Sequence, residues 1–360
     1  MDRRQFIKNT AICACALCLG CNKSFSKLHS NFLYKSTSNL PKNIQLDASS
    51  ICQLSCPECW RNTCSTANKL GFLEFKNFKN LVDNYKIEKV ELSNKGEIFL
   101  NPELDKIIEY SYEKGIKLSA WNGVNGNYIS DKVAELMVKT EFLGFQLSID
   151  GATNDVYKIY RVGGDINKVF ENVNKINFYK KKHKSDYPFM TYKFIVFGHN
   201  EHEIPLAKEL FPKYGFANIK FVTNYAPDYS PVKNKKFVKE QTGLNFDDLQ
   251  DQYISDREEK KTNWFPCKTL WDYPAIAYDG ALLGCCATNH NNCFSNVNVF
   301  KDGYLKAMNC EDIRYAKKML VYKAKEKDNI PCTSCYLYKK LKKSNITLTE
   351  EDINGQTPIY

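Results

Sequence analysis

The chain has 360 residues, with 51 Lys+Arg against 41 Asp+Glu and a formal charge of +10. Hydrophobic residues at 43% and charged residues at 26% are the balance of an ordinary soluble protein, long enough for one large domain plus a small one. The basic excess is spread along the chain without a nucleic-acid-binding motif, so the expectation is a solvated basic face and no nucleic acid partner, with an acidic or phosphorylated substrate drawn by the same charge.

In chain order, Met1-Asp2-Arg3-Arg4 is similar to the start of a twin-arginine export signal. The apolar run from Ala11 to Gly20 is too short to cross a bilayer, which takes about 20 apolar residues. Residues 22–42 read as a polar linker, so 1–42 is a signal-like N-terminus and linker. From residue 43 short apolar runs alternate with amphipathic ones. Strands are expected at Ile44–Leu46, Val90–Leu92, Lys117–Trp121, Phe145–Ile149, Tyr192–Val196 and Ile219–Val222. Helices are expected at Phe75–Tyr85, Pro102–Lys114, Asp131–Lys139, Asn154–Tyr160, Ile166–Lys182 and Glu203–Tyr214. This alternation implies an α/β fold with a parallel sheet and right-handed crossovers over 43–225. Residues 226–264 read as a connector with some helix near Asp247–Ile254, followed by a Cys-rich unit at 265–340 and a tail at 341–360.

The fifteen cysteines fall into three groups: four before residue 22, four from 52 to 64 and seven after 266. A disulfide scaffold is small and distributes its cysteines through the fold, so clusters beside a long cysteine-free middle point to metal sites. Cys52, Cys56 and Cys59 share one loop with the spacing Cys-x3-Cys-x2-Cys. Three thiolates can hold three irons of a [4Fe–4S] cubane and leave the fourth open, whereas zinc asks for a closed set of four. Cys267, a hairpin of an expected strand Trp271–Tyr278, an Asp279-Gly280 turn and a return strand Ala281–Cys285, and the Cys332-x2-Cys335 pair offer a second, four-thiolate set of Cys267, Cys285, Cys332 and Cys335, for which zinc and iron–sulfur fit equally well. Cys64, Cys286, Cys293 and Cys310 are left unassigned: each either replaces a ligand or is a plain free thiol, the latter being the preferred reading.

The triplet resembles the cluster loop of the radical S-adenosylmethionine (SAM) enzymes, with Glu58 where that family often has an aromatic residue. The resemblance extends to Gly96-Glu97 after the second strand, to Trp121-Asn122-Gly123 at the end of the third, by itself read as a turn, to Ser148-Ile149-Asp150-Gly151-Ala152 with Tyr157, Arg161 and Gly163-Gly164 after the fourth, and to Gly198-His199-Asn200 after the fifth. Lys95 and Ile98 depart from the family's Gly-Gly-Glu-Pro pattern. It implies a partial (β/α)6 TIM-like barrel, with Glu97 at the SAM amino group, Ser148 and Arg161 at its carboxylate, Asp150 at the ribose or substrate, and Asn200 at the nucleoside. His199 and His202 are read as loop histidines.

The last unit resembles the auxiliary-cluster domain called SPASM, or twitch when halved, which implies one auxiliary [4Fe–4S] cluster on Cys267, Cys285, Cys332 and Cys335. The implied activity is reductive cleavage of SAM to a 5′-deoxyadenosyl radical that abstracts hydrogen from a peptide or protein. A sugar or aminocyclitol substrate, or an iron–sulfur or zinc electron carrier without SAM turnover, are the alternatives. An external reductant such as flavodoxin or ferredoxin is implied. The cytoplasm, where SAM is made, is the expected location, with export or membrane attachment left open by the N-terminus.

Overall fold

In this computed structural model the described residues are 38–63, 70–224, 228–246, 266–288, 292–294, 296–349 and 353. The twin-arginine-like start, Cys64 and the helix expected near Asp247–Ile254 lie outside them. Six strands alternate with helices as the apolar periodicity requires: β1 (Asn43–Leu46), β2 (Lys89–Glu91), β3 (Lys117–Val124), β4 (Gly144–Ser148), β5 (Phe189–Val196) and β6 (Asn218–Thr223). Between them run α1 (Phe75–Asn84), α2 (Leu104–Glu113), α3 (Asp131–Lys139), α4 (Asn154–Tyr160), α5 (Ile166–His183) and α6 (Ile204–Lys213).

All neighbouring strands are parallel. The order is β6-β5-β4-β3-β2-β1-β7, an open sheet of seven strands and thus a partial TIM-like barrel. The seventh strand, β7 (Ala275–Ile276), comes from the Cys-rich segment and pairs with β1. Gln45 N donates to Pro274 O at 3.0 Å and Asp47 N to Ile276 O at 3.0 Å. The auxiliary segment is therefore hydrogen-bonded into the edge of the barrel sheet.

Each strand alternates faces, as a pleated backbone must. On β5, Tyr192, Phe194 and Val196 are buried with the apolar faces of the helices, while Ile195 packs on the cysteine loop. The helix starts are capped by the residues the sequence supplies: Ser130 Oγ accepts from Val133 N, and Thr153 caps α4 through Val156 N.

Three local expectations change. Pro102 is not the first turn of a helix; α2 starts at Leu104 after an Asn101 turn in which Glu103 N donates to Asn101 Oδ1 at 2.8 Å. Trp121-Asn122-Gly123 is not a turn but the distal half of β3. The expected strand Trp271–Tyr278 is mostly not one: Thr269–Asp272 is a helical turn, and only Ala275–Ile276 pairs before the Asp279-Gly280 turn. The chain then forms α7 (Lys235–Thr242) in the connector, and α8 (Glu311–Tyr322) and α9 (Tyr336–Lys343) beyond it. Leu341, Leu348 and Ile353 are buried, so residues read as a tail pack on the core.

Candidate cluster site

The Cys52–Cys59 loop follows β1 at the carboxyl end of the strand, the end where parallel barrels place their chemistry. It is fixed by several independent contacts. Ser49 Oγ accepts from Ile51 N at 3.0 Å, Ser55 N donates to Val162 O at 2.9 Å, and Asn62 Nδ2 donates to Cys56 O at 2.8 Å. Cys56 is buried; Cys52 and Cys59 are half-buried, and none of the three is in a disulfide. They pack with Leu54, Tyr160, Ile195 and Phe197, from α4 and β5 and its following loop.

Side chains approach these sulfurs, among them Gln53, whose Oε1 accepts from Cys52 Sγ at 3.8 Å. Asn125 Nδ2 lies 3.3 Å from Cys52 Sγ, and Arg161 Nη1 lies 3.6 Å from Cys56 Sγ. Burial pushes the Cys52 thiol up to about 11. Burial also raises Cys56, while the Arg161 guanidinium pulls it back. A thiolate there thus needs a positive partner, which a metal centre supplies.

Glu97 is fully buried. Its carboxylate accepts from Asn125 N at 2.5 Å and Phe99 N at 3.3 Å, and burial raises it to about 7. It ties the loop after β2 to the end of β3. Gly96 lies against the start of the cysteine loop: a Cβ there would stand 2.5 Å from Ser49 O and 2.7 Å from Ile51 O.

Asp150 is likewise fully buried, with φ of 52°. Its Oδ1 accepts from Ile195 N at 2.6 Å, and its Oδ2 takes Arg161 Nε at 2.5 Å with Nη2 also paired to it. Both oxygens accept a hydrogen bond, and through Oδ2 Asp150 orients Arg161. Asn200 is fully buried too: Nδ2 donates to Asp150 O and Ile195 O, and Oδ1 accepts from Phe197 N at 2.7 Å. It clamps the loop after β5. Ser148 ends β4 with its hydroxyl beside Gly123, where a Cβ would stand 2.8 Å away. His199 Nδ1 is 2.8 Å from Ser230 Oγ, and its ring stacks on Phe197 at 5.0 Å between centroids.

Sequence reasoning missed Asn125 and Asn101. Asn101 Nδ2 holds Ala48 O at 2.7 Å and Leu73 O at 3.0 Å, bracing the approach to the cysteine loop. An asparagine after a short apolar run looks like any turn residue, so nothing in the sequence marks either one.

The second set gathers from separate segments. Cys267 lies on a helical turn, Cys285 follows the return limb of the hairpin, and Cys332 and Cys335 bracket a helical turn at Pro331–Ser334. Burial pushes Cys267 well up, and Cys285, Cys332, Cys335 and Cys286 push it further. Cys332 reaches about 12, again from burial first and then Cys335. Among the described residues no three His, Cys, Asp or Glu side chains are set to hold one metal ion. Cys286 is within reach of the set, and Lys95 Nζ donates to its carbonyl at 3.3 Å. Cys293 packs on Ala275, Ala277 and Leu283, and Cys310 precedes α8.

No family model matches the chain, and no curated protein does. Solved structures do. Streptococcus suis SuiB bound to its precursor peptide SuiA superposes with a TM-score of 0.59 at 14% identity, over 91% of this chain and 78% of that one. SuiB bound to S-adenosylmethionine gives 0.59 at 13% identity, over 98% and 88%. The enzyme anSMEcpe with bound SAM gives 0.54 at 17% identity, over 83% and 84%. The chain has the radical SAM fold. Among the described residues, no helix of this radical SAM barrel is long and apolar enough to cross a membrane.

Proposed function

We propose that the chain is a radical SAM enzyme that modifies a peptide or protein. The observation that carries this reading is the set of three cysteines, none in a disulfide, on one braced loop at the carboxyl end of β1. Cys52, Cys56 and Cys59 would hold a [4Fe–4S] cluster with one iron left for the amino and carboxylate groups of SAM. That pair of cofactors supplies one-electron reductive cleavage of SAM and a 5′-deoxyadenosyl radical that takes hydrogen from the substrate.

The residues of the chain hold and shield. Arg161, steered by Asp150, and Asn125 donate toward the ligand sulfurs, and such outer contacts orient ligands and tune a cluster. Tyr160, Ile195 and Phe197 form an apolar wall beside the loop that keeps water from a reactive intermediate. Cys267, Cys285, Cys332 and Cys335 would hold one auxiliary [4Fe–4S] cluster that accepts the substrate's electron, with flavodoxin or ferredoxin as the outside reductant. A working link between the two centres is supported by β7, which is hydrogen-bonded directly to β1, the strand that leads into the Cys52–Cys59 loop. The peptide substrate is supported by SuiB, which was solved with its precursor peptide.

The test is to incubate the anaerobically reconstituted protein with SAM, dithionite and the short peptides encoded beside its gene. A peptide that loses hydrogen or gains a crosslink by mass spectrometry supports the reading. SAM cleavage with every such peptide unchanged rejects the substrate class.

A further inference from the structure

One side chain spans the two thiol sets. Lys95 sits in the loop after β2, and that loop is fixed to the first set: Glu97 N donates to Ile51 O at 2.8 Å, and Gly96 lies against the carbonyls of Ser49 and Ile51, which lead into Cys52. From this base the Lys95 ammonium lies over the indole of Trp60, 5.7 Å from the ring centre, and Trp60 is the residue after Cys59. Its far end reaches the second set: Lys95 Nζ donates to Cys286 O at 3.3 Å, and Cys286 is the residue after Cys285. Lys95 is a position at which this loop leaves the family's Gly-Gly-Glu-Pro pattern, so the resemblance gives it no role. A glycine in its place could make neither contact.

The lysine is half-buried, and among the described residues no carboxylate forms an ion pair with it. A cation over an indole face gains from the ring's negative quadrupole, and the carbonyl takes one of its three protons, so its place is set without its charge being neutralised. That charge acts on the Cys286 thiol, and Cys286 is in turn within electrostatic reach of Cys335. Cys267, Cys285, Cys332 and Cys335 act on one another in the opposite sense, each thiolate opposing the next. Four thiolates around a cubane leave the whole centre negative, and an added electron makes it more so. A fixed cation beside the set therefore favours the reduced form and lifts the midpoint potential.

We propose that Lys95 is a positioning residue that ties the loop after β2 to the auxiliary segment and, through its charge, raises the midpoint potential of the auxiliary cluster. The inference rests on the proposed reading of Cys267, Cys285, Cys332 and Cys335 as the ligands of one [4Fe–4S] cluster, and it adds the residue that tunes that cluster. A higher potential is what an electron acceptor needs. Lys95 makes its two contacts to the residues that follow Cys59 and Cys285, so it acts beside the ligands and replaces none of them.

The experiment is a redox titration of the anaerobic holoprotein followed by electron paramagnetic resonance. It is repeated in the full chain carrying Cys52→Ala, Cys56→Ala and Cys59→Ala, so that only the auxiliary cluster gives a signal. Lys95→Met moves the auxiliary midpoint to a more negative potential in both backgrounds, with the auxiliary iron kept. Lys95→Arg, which keeps the charge, holds the midpoint near the wild-type value. An auxiliary midpoint that Lys95→Met leaves unchanged, or one that Lys95→Arg lowers as far as Lys95→Met does, overturns the proposal. So does loss of auxiliary iron in Lys95→Met with the potential of the remaining clusters unmoved, which makes Lys95 a strap and nothing more. A triple alanine variant that folds by circular dichroism yet binds no iron removes the auxiliary cluster, and the proposal with it; iron bound there at an unmoved potential removes the proposal alone.

Discussion

Arg161 links Asp150 to Cys56: its Nε donates to Asp150 Oδ2 at 2.5 Å while its Nη1 stands 3.6 Å from Cys56 Sγ. Asp150 is fully buried and the Arg161 side chain is 13% exposed, so the pair is a desolvated ion pair whose free donor points at a ligand sulfur. Despite the cost of burial, Asp150 holds the guanidinium charged. Removing one member of such a pair leaves an uncompensated buried charge. Asp150→Asn is therefore expected to destabilise the holoprotein by about 3–5 kcal/mol in denaturant titration. Arg161→Met, which removes a positive donor from the sulfur, moves the site cluster to a more negative midpoint potential in redox titration. An unchanged potential would remove Arg161 from the account of the site.

Gly96 has no room for a side chain. A Cβ would sit 2.5 Å from Ser49 O, and both that carbonyl and Ile51 O are backbone leading into Cys52. Gly96→Ala is expected to cost about 1–3 kcal/mol and to lower iron bound at the first site, with the auxiliary iron retained. Denaturant melts and iron analysis on the same preparation check both.

Glu97 makes stability fall with rising pH. Its folded-state pKa is raised by burial to about 7 from an ordinary 4.5. The folded protein then binds that proton more tightly than the unfolded chain. The contribution is fully present below pH 4.5, is lost as pH rises to about 7, and is flat above. Each pKa unit is worth about 1.4 kcal/mol, so the effect amounts to a few kcal/mol at most. The stability difference between wild type and Glu97→Gln is expected to shrink between pH 5 and pH 8, read by denaturant titration at each pH.

The two thiol sets should load independently. Replacing Cys52, Cys56 and Cys59 by Ala removes one cubane's iron, about four atoms, and leaves the rest. Replacing Cys332 and Cys335 does the reverse. Iron and sulfide analysis of the two variants checks this.

The barrel was legible because its strands and helices follow period and punctuation. α3 and α4 lie at Asp131–Lys139 and Asn154–Tyr160 as the pattern and the Ser130 and Thr153 caps require. A strand over β7 was legible inside the apolar run Trp271–Tyr278, but its partner was not, because pairing with β1 leaves no periodic signal. Within the site, the cysteine spacing pointed to the loop, but not to what braces it. Asp150, Asn200 and Glu97 look like ligand-facing polar residues at strand ends in a linear reading. Their partners are the backbone groups of Ile195, Phe197 and Asn125, which only the folded chain brings to them.

The most direct measurement of the central claim is 5′-deoxyadenosine formed from SAM and dithionite by the anaerobically reconstituted protein. The account predicts that it forms with the wild type and disappears in Cys56→Ala. A first site loaded with iron that yields none, or one whose every iron is ligated by side chains, would contradict it.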